Sequence, residues 1–136
     1  MEKFKQRGRI FFAVLLILSV TLTATGVQQA SAGSSYTISG CGKYGGWKYK
    51  FTKVSFSGNK VTFKGKFLKE KNGGGKSVVK KLTVPIHSLC VFGSEGDDGF
   101  YPISKAKAIK QYKKRDFLIL TVTIRNGKAV MFSNGA

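Results

Sequence analysis

WKYKFTKVSFSGNKVTFKGKF, residues 47–67, is the segment most indicative of the architecture, because apolar and polar residues alternate along it. Alternation is typical of β-strands that face the core on one side and water on the other. The alternation shifts by one position near Thr52 and Lys53, which predicts a β-bulge in a long, bent first strand. Ser57-Gly58-Asn59 predicts a tight turn. The stretch therefore predicts a β-hairpin.

This hairpin is predicted to have an apolar inner face and a lysine-rich outer face. The residues predicted to face inward are Trp47, Tyr49, Phe51, Val61, Phe63 and Phe67. The lysines predicted to face outward are Lys48, Lys50, Lys64 and Lys66. Gly65 takes an inward position, which permits a close backbone approach. An alternative interpretation makes Trp47 and Tyr49 exposed stacking platforms for sugars or bases.

A glycine-rich loop around Asn72 separates this hairpin from a third strand, which we expect from about Ser77 to Phe92. Pro85 cannot donate a ladder hydrogen bond, so it belongs at an edge or a bulge. Ser104 then offers a helix N-cap, and the residues from Lys105 to about Lys114 are good helix formers.

The helix is predicted to bury one narrow stripe, made of Ala106, Ile109 and Tyr112. Residues 117–124 then form a β-rich run with apolar residues on both faces, which predicts a central strand buried on both sides. Asn126-Gly127 predicts a type I′ turn into a last strand that ends near Phe132.

The order of three strands, one helix and a two-stranded hairpin resembles the OB-fold. This resemblance implies a mainly β domain with one helix, folded as a five-stranded OB-like barrel over residues 47–136. The lysine-rich capped helix before an Asn-Gly hairpin is also similar to small secreted modules of Gram-positive bacteria, which have no assigned function. The alternative architecture is an open α+β antiparallel sheet with one packed helix.

The N-terminus predicts export. Four basic residues precede an apolar run over residues 10–18, and Ala30-Ser31-Ala32 supplies the small residues that a signal peptidase recognises. Residues 1–32 are therefore predicted to be a signal peptide, with an apolar core too short for a membrane span. We expect a secreted, extracellular protein with no membrane span after cleavage. A Gly/Ser-rich arm, residues 33–46, would precede the domain.

The chain is strongly basic, with 24 Lys and Arg against six Asp and Glu and a net charge of +18. Removal of residues 1–32 would leave +15, and Arg115 and Arg125 would be its only arginines. Such a field attracts anionic polymers and anionic surfaces. Lysine is a hydrated point charge, whereas reading a base edge favours arginine, so we expect diffuse attraction without sequence-specific nucleic-acid reading. The alternative is that the charge serves only solubility.

Two cysteines, Cys41 and Cys90, remain after the predicted cleavage. In an exported domain an even count predicts a disulfide, which would close a loop of about 50 residues and stabilise the fold by about 4 kcal/mol. Two free thiols are the alternative. Ile38-Ser39-Gly40-Cys41 also resembles the lipobox of bacterial lipoproteins, which would anchor the protein to the cell envelope through Cys41.

The sequence shows no recognisable catalytic constellation, and we expect neither an enzyme nor a cofactor. His87 is the only histidine. An ideal strand would point His87 and Cys90 to opposite faces, because their positions differ by an odd number. We expect no metal site, although Glu95, Asp97 and Asp98 give a calcium alternative to a plain acidic turn.

The function expected from these features is a secreted, cationic, non-enzymatic module that binds anionic polymer at or near the cell surface. Candidate polymers are cell-wall polymer, acidic polysaccharide and extracellular nucleic acid. The candidate anion-binding lysines are Lys48, Lys50, Lys64 and Lys66 of the hairpin and Lys107, Lys110, Lys113 and Lys114 of the helix. A secreted effector, such as a small toxin, inhibitor or hydrolase, and a purely structural envelope role are the alternatives.

Overall fold

A computed structural model describes residues 34–135 of the chain. Within these residues the secondary structure consists of β1 (Ser35–Cys41), β2 (Lys50–Ser57), β3 (Lys60–Lys71), β4 (Lys76–Gly96), β5 (Gly99–Pro102), α1 (Lys105–Lys113), β6 (Ile119–Arg125) and β7 (Lys128–Gly135). The predicted signal peptide lies outside the described residues, so it stays a prediction.

All seven described strands belong to one sheet, in the order β2–β3–β1–β6–β7–β4–β5. Two further pairings join β1 with β2 and β3 with β4. Most neighbours are antiparallel, but β4 runs parallel to β7, and β1 meets β2 in parallel at Cys41 and Lys50. The prediction of a mainly β domain with one helix is confirmed. The sheet departs from the alternative of an open α+β antiparallel sheet at these two parallel pairs.

The described region has seven strands where the sequence predicted five. One addition is β1, which lies in the segment predicted to be the arm and is separated from β2 by residues 42–49. Gly40 helps β1 to pack close to β2, because a Cβ at Gly40 would lie 3.0 Å from Cδ2 of Phe51. The other addition is β5, which folds back on the end of β4.

The hairpin of β2 and β3 confirms the pattern that predicted it. Its register shifts between Phe51 and Lys53, where the bulge was expected. Gly58 has a φ of 60°, as a tight turn requires. Gly65 has a φ of 144°, and a Cβ there would overlap the carbonyl oxygen of Lys50. The inward glycine therefore serves a close approach of two backbones.

Aromatic rings fill the core beneath this hairpin. The ring of Phe51 lies 5.4 Å from that of Phe63 and 5.0 Å from that of Phe67, measured between centroids, and all three side chains are fully buried. Trp47 and Tyr49 were predicted to share this core, but they lie in the 42–49 connection and are only half-buried. They leave the core because the inward alternation begins only at β2.

β6 pairs with β1 on one edge and with β7 on the other, so the prediction of a central strand is confirmed. The prediction that residues 117–124 are buried on both faces is wrong. Leu120 and Val122 are fully buried, but Leu118 is 45% exposed and Ile119 is 37% exposed. Pairing at both edges covers the backbone of a strand, whereas the outer side chains still need a second layer to be buried.

The helix begins as predicted, because Ser104 Oγ accepts a hydrogen bond from the backbone N–H of Lys107 at 3.2 Å. Its buried residues are Ala108 and Tyr112, whereas Ala106 is exposed, so the predicted stripe was wrong in register. The actual pair has the i, i+4 spacing of one helix face. The Tyr112 ring stacks on Phe132 of β7, with centroids 5.5 Å apart, and this contact fixes the helix on the sheet.

A lysine-covered sheet face as the candidate functional site

Lysines from three adjacent strands lie side by side on the outer face of the sheet. Lys64 of β3 has Lys53 of β2 as its register partner on one side and Lys81 of β4 on the other. In the same hairpin Lys50 is the register partner of Lys66. All five are exposed, and we call them the lysine face. Neighbouring strands lie about 4.8 Å apart and residues two apart on a strand about 6.7 Å apart, so these charges form a dense grid.

The strands explain why the charges share one face. Val61, Phe63 and Phe67 point into the core and are fully buried. The residues between them therefore point outward, because successive side chains of a strand alternate. On β4, Leu82 and Val84 face inward in the same way and direct Lys81 outward. The alternation of β3 and β4 thus builds the lysine face.

The strand segments that hold this face contain no carboxylate. Residues 50–57, 60–69 and 76–94 contain neither aspartate nor glutamate. Within the part of the chain that the structure describes, the ion pair present joins Lys76 Nζ to Glu70 Oε2 at 3.9 Å, next to the turn between β3 and β4. That pair is solvent-exposed and contributes little to stability. The lysine face is therefore an uncompensated patch of positive charge.

A row of hydroxyl groups lies beside the lysines. Thr62 is the register partner of Ser55 and of Thr83, two residues along each strand from Lys53, Lys64 and Lys81. The hydroxyl oxygens of Thr62 and Thr83 lie 2.9 Å apart, so one donates to the other. Such groups can also donate to the oxygens of a polymer backbone.

Aromatic side chains lie in the connection that leads into the lysine face. The rings of Trp47 and Tyr49 meet edge to face, with centroids 4.9 Å apart. The ammonium group of Lys48 lies 5.2 Å from the centroid of the Tyr49 ring, and that of Lys43 lies 5.2 Å from that of Tyr44. These half-buried or exposed rings have faces on which a sugar or a base can stack.

The structure brings some predicted lysines together and leaves others apart. Lys50, Lys64 and Lys66 belong to the lysine face, whereas Lys48 precedes β2 and lies on Tyr49. The helix lysines Lys107, Lys110, Lys113 and Lys114 are all exposed. At 100° per residue they fall within an arc of about 120°, so they share one face of α1, opposite the buried Ala108 and Tyr112.

Sequence reasoning missed two members of the lysine face, Lys53 and Lys81. The side of Lys53 was readable, because Lys53 and Ser55 alternate with the apolar Val54 and Phe56 after the bulge. Lys81 was readable, because the inward alternation of Leu82, Val84 and Ile86 places it on the opposite side of β4. Its position beside Lys64, however, depends on the strand register, which the sequence does not state.

A second feature is a long bulge in β4. Ile86 pairs with Ala129 and Val91 with Met131, so residues 87–90 lie opposite Val130 alone. This irregularity removes the regular alternation on which the expectation for His87 and Cys90 depended. Both line one open cavity of about 680 Å³, together with Lys105 and Lys128. Strand alternation fails here because the bulge abandons the regular pleat.

The cavity holds a histidine and a thiol but lacks an activated nucleophile. Burial raises the pKa of the Cys90 thiol to about 11, and the nearby positive charge of Lys105 only partly offsets this effect. The thiol is therefore protonated at neutral pH, whereas the thiolate is the nucleophile. His87 Nδ1 accepts a hydrogen bond from the backbone N–H of Leu89 at 3.0 Å, which holds the ring against its own loop.

The two cysteines are not bonded to each other, contrary to the predicted disulfide. They lie on β1 and β4, which do not pair. Cys41 is fully buried, and its Sγ donates to the carbonyl oxygen of Trp47 at 3.5 Å. Cys90 is half-buried in the bulge. The even number of cysteines predicted a disulfide, but the two cysteines lie on strands that are not neighbours in the sheet.

The acidic residues Glu95, Asp97 and Asp98 occupy the turn between β4 and β5 and are exposed. Asp98 accepts a hydrogen bond from the Tyr101 hydroxyl at 3.3 Å. Within residues 34–135, no three His, Cys, Asp or Glu side chains come together in a group that could hold a metal ion. The turn therefore offers no preformed set of calcium ligands.

Within the described part of the chain, no helix has both the length and the apolar character needed to cross a membrane. Comparisons with protein-family models, with curated proteins and with solved structures gave no match for this chain.

Proposed function

We propose that this protein is an exported, non-enzymatic module that binds anionic polymer at or near the cell surface through the lysine face. The polymer classes that fit are cell-wall polymer, acidic polysaccharide and extracellular nucleic acid. The row of Lys53, Lys64 and Lys81 is the observation on which the proposal rests. Like charges directly opposite each other destabilise a sheet, and a bound polyanion removes that cost.

We further propose that the sheet closes into an OB-like barrel. The pairings β1–β3, β3–β4, β4–β7, β7–β6 and β6–β1 return to their starting strand, which supports closure. In this arrangement β1 and β2 together act as one interrupted first strand, and α1 lies between the third and fourth. OB-folds bind oligonucleotides and oligosaccharides on the face of their second and third strands. Those strands correspond to β3 and β4, which hold Lys64, Lys66 and Lys81.

The composition of the face supports attraction to polymer charge without reading of a sequence. All five members of the lysine face are lysines, and arginine forks, which grip single phosphates or base edges, are absent from it. Affinity that depends on phosphates or sulfates falls steeply as salt rises, because binding releases counterions. The threonine hydroxyl groups can donate hydrogen bonds to the polymer, and the rings of Trp47 and Tyr49 can stack on its sugars or bases. Every repeat unit of a polymer offers such groups.

The route to the cell surface rests on the predicted signal peptide, and the position of Cys41 bears on the lipoprotein alternative. Cleavage before Cys41 would remove residues 35–40, which pair with β3 and β6. The same cysteine is fully buried, so a lipid attached to its sulfur would have no path from the core to the protein surface. These two observations favour processing before Ser35 over lipidation.

Binding of fluorescent heparin, measured against salt concentration, tests the proposal. The variant Lys53→Gln/Lys64→Gln/Lys81→Gln disrupts the lysine face, and Lys107→Gln/Lys110→Gln/Lys114→Gln is its charge-matched control on α1. We expect the first variant to bind heparin at least about tenfold more weakly. The slope of log affinity against log salt concentration should become about 2 units less negative. The control should change affinity less than threefold.

Two outcomes would overturn the proposal. Equal losses in the two triple variants would mean that net charge alone attracts the polymer and that no face is involved. Wild-type affinity that does not change with salt would remove the electrostatic mechanism altogether. Circular dichroism of both variants checks that each one remains folded.

A further inference from the structure

The bulge of β4 presents an apolar side chain to solvent. Leu89 is 79% exposed, more than any other large hydrophobic residue of the described chain. It lies midway along residues 87–90, which bow out opposite Val130 alone. Val91, next to the bulge, is 44% exposed. Leu89 and Val91 thus place two exposed apolar side chains in one region of the surface, and contiguous apolar patches mark interaction sites.

Positive charge and apolar surface lie together around Leu89. One open concavity, of about 790 Å³, has Leu89, Val130 and Met131 in its lining together with Arg125 and Lys128. The neighbouring cavity adds Lys105 and shares Lys128 and His87 with the first. Neither concavity has a carboxylate in its lining. We call Leu89, Val91, Val130, Met131, Arg125 and Lys128 the Leu89 surface.

His87 adds a further donor to this region. Its Nδ1 accepts the backbone N–H of Leu89, which leaves Nε2 as the nitrogen that can donate to a ligand. The charged side chains that line the two concavities, Lys105, Arg125 and Lys128, are all positive. These positive charges favour the binding of an anion, and the exposed Leu89 favours an apolar environment beside that anion.

We propose that the Leu89 surface docks on a bilayer that contains anionic phospholipid. In that interface phosphate headgroups lie directly above acyl chains, so Arg125 and Lys128 would meet phosphates while Leu89 enters the acyl boundary. A hydrophilic polymer supplies no apolar phase for Leu89. A second copy of the chain would bring its own strong positive charge to the same surface, which opposes self-association.

This surface is distinct from the lysine face in residues and in chemistry. The lysine face lies where β3 pairs with β2 and with residues 76–85 of β4, whereas the Leu89 surface lies where β4 pairs with β7. A protein with both would hold polymer on one surface and lipid on the other. Because the two proposals use different residues, each can fail without the other.

Vesicle co-sedimentation of the purified protein tests the inference. One set of vesicles is phosphatidylcholine alone, and the other mixes phosphatidylcholine and phosphatidylglycerol in equal parts. The test variant is Leu89→Ser, and its matched control is Leu118→Ser, which changes another exposed leucine, directly before β6. All proteins share one N-terminus, checked by mass spectrometry, so that differences report the substitutions.

We expect the wild type to bind the mixed vesicles and to bind phosphatidylcholine vesicles at least about tenfold more weakly. Leu89→Ser should lose about tenfold of the affinity for the mixed vesicles, and Leu118→Ser less than twofold. Arg125→Gln/Lys128→Gln should weaken binding to the mixed vesicles only. Heparin affinity should not change in Leu89→Ser, since that residue lies outside the lysine face.

Three results would overturn the inference. The first is equal vesicle binding by Leu89→Ser and Leu118→Ser. The second is a loss of heparin binding in Leu89→Ser, which would assign the surface to the polymer. The third is a concentration-dependent dimer that Leu89→Ser abolishes, which would assign it to a second copy of the chain. Unchanged thermal melting of Leu89→Ser excludes misfolding as the cause of any loss.

Discussion

Lys53 and Lys64 lie directly opposite each other on neighbouring strands, and the paired segments, residues 50–57 and 60–66, contain no acidic residue. Two ammonium groups in this relationship repel each other through water with an energy on the order of 1 kcal/mol or less. The two side chains can point away from each other, which reduces the repulsion, but the strand register keeps their Cα atoms opposite each other. This relationship links the stability of the fold to the ionic conditions around it.

Lys64→Gln should stabilise the protein at low ionic strength, because it removes the charge between Lys53 and Lys81. We expect the free energy of unfolding to rise by about 0.5 kcal/mol and the gain to shrink as salt screens the repulsion. Urea denaturation at low and high salt measures this. Lys60→Gln is the control, because the register partners of Lys60 are Ser57 and Pro85. A gain in Lys64→Gln that does not depend on salt would contradict the prediction.

Tyr112→Phe should keep or slightly increase stability. The Tyr112 hydroxyl is buried without a hydrogen-bond partner among the described residues, so its removal relieves a desolvation cost. The ring, which stacks on Phe132, would remain. We expect a change between zero and about +1 kcal/mol in the free energy of unfolding, whereas Tyr112→Ala should lose about 3 to 5 kcal/mol. Thermal and urea unfolding measure these differences in stability. A large loss of stability in Tyr112→Phe would mean that the hydroxyl has a hydrogen-bond partner.

Gly65→Ala should destabilise the fold by about 2 kcal/mol or more. A Cβ at Gly65 would overlap the Lys50 carbonyl oxygen, and its φ of 144° is a conformation that residues with a side chain rarely adopt. Gly46→Ala is the control, because a Cβ there meets nothing within 4 Å. Similar midpoints of urea denaturation for the two variants would show that β2 and β3 can separate locally without cost.

Thiol labelling should distinguish the two cysteines. Cys90, with its pKa raised to about 11, should react slowly with iodoacetamide at pH 8 and about tenfold faster for each pH unit up to about pH 10. Cys41 is fully buried and should react only after unfolding. Mass spectrometry counts the labels, and Cys90→Ser should abolish labelling of the folded protein. A mass that changes with reductant before labelling would reveal a disulfide instead.

The free energy of unfolding should fall as the solution becomes alkaline. The folded-state pKa of Cys90, about 11, lies above its ordinary value of 9.0, so the folded state keeps a proton that the unfolded state has lost. The stabilisation is present below pH 9 and is lost as pH rises through about 11. Burial also raises the pKa of Tyr112, which acts in the same direction. Lys69, whose pKa burial lowers, acts in the opposite direction.

Urea denaturation between pH 8 and pH 11 measures this dependence. Cys90→Ala should flatten the decline between pH 9 and pH 11, because the titrating thiol is gone. An identical decline in Cys90→Ala and wild type would mean that the thiol does not contribute and that other groups dominate alkaline unfolding.

Local chemistry made several elements of the fold predictable. The alternation from Phe51 to Phe67 gave the first hairpin and its bulge, because a strand has a side-chain period of two. Gly58 and the Asn126-Gly127 pair gave the turns, since these residues tolerate positive φ values. Ser104 gave the start of the helix through its side-chain oxygen. Each of these features depends on residues close together in the chain.

Predictions failed wherever distant residues decide the outcome. The inward face of α1 depends on where Phe132 lies, and spacing alone favoured Ala106 over Ala108. The burial of residues 117–124 depends on whether a second layer covers their outer face. The positions of His87 and Cys90 depend on how β4 leaves β3 to pair with β7, which forces residues 87–90 out of the pleat.

Strand and turn chemistry, the capped helix α1 and the excess of positive charge follow from the amino acids alone, because they depend on each residue and its near neighbours. The proximity of Lys81 to Lys64, the separation of Cys41 from Cys90 and the exposure of Leu89 among cations follow only from the folded chain. They depend on strand register, because hydrogen bonding between strands far apart in the chain fixes which side chains meet. A shift of one residue in that register would move every one of them to the other face.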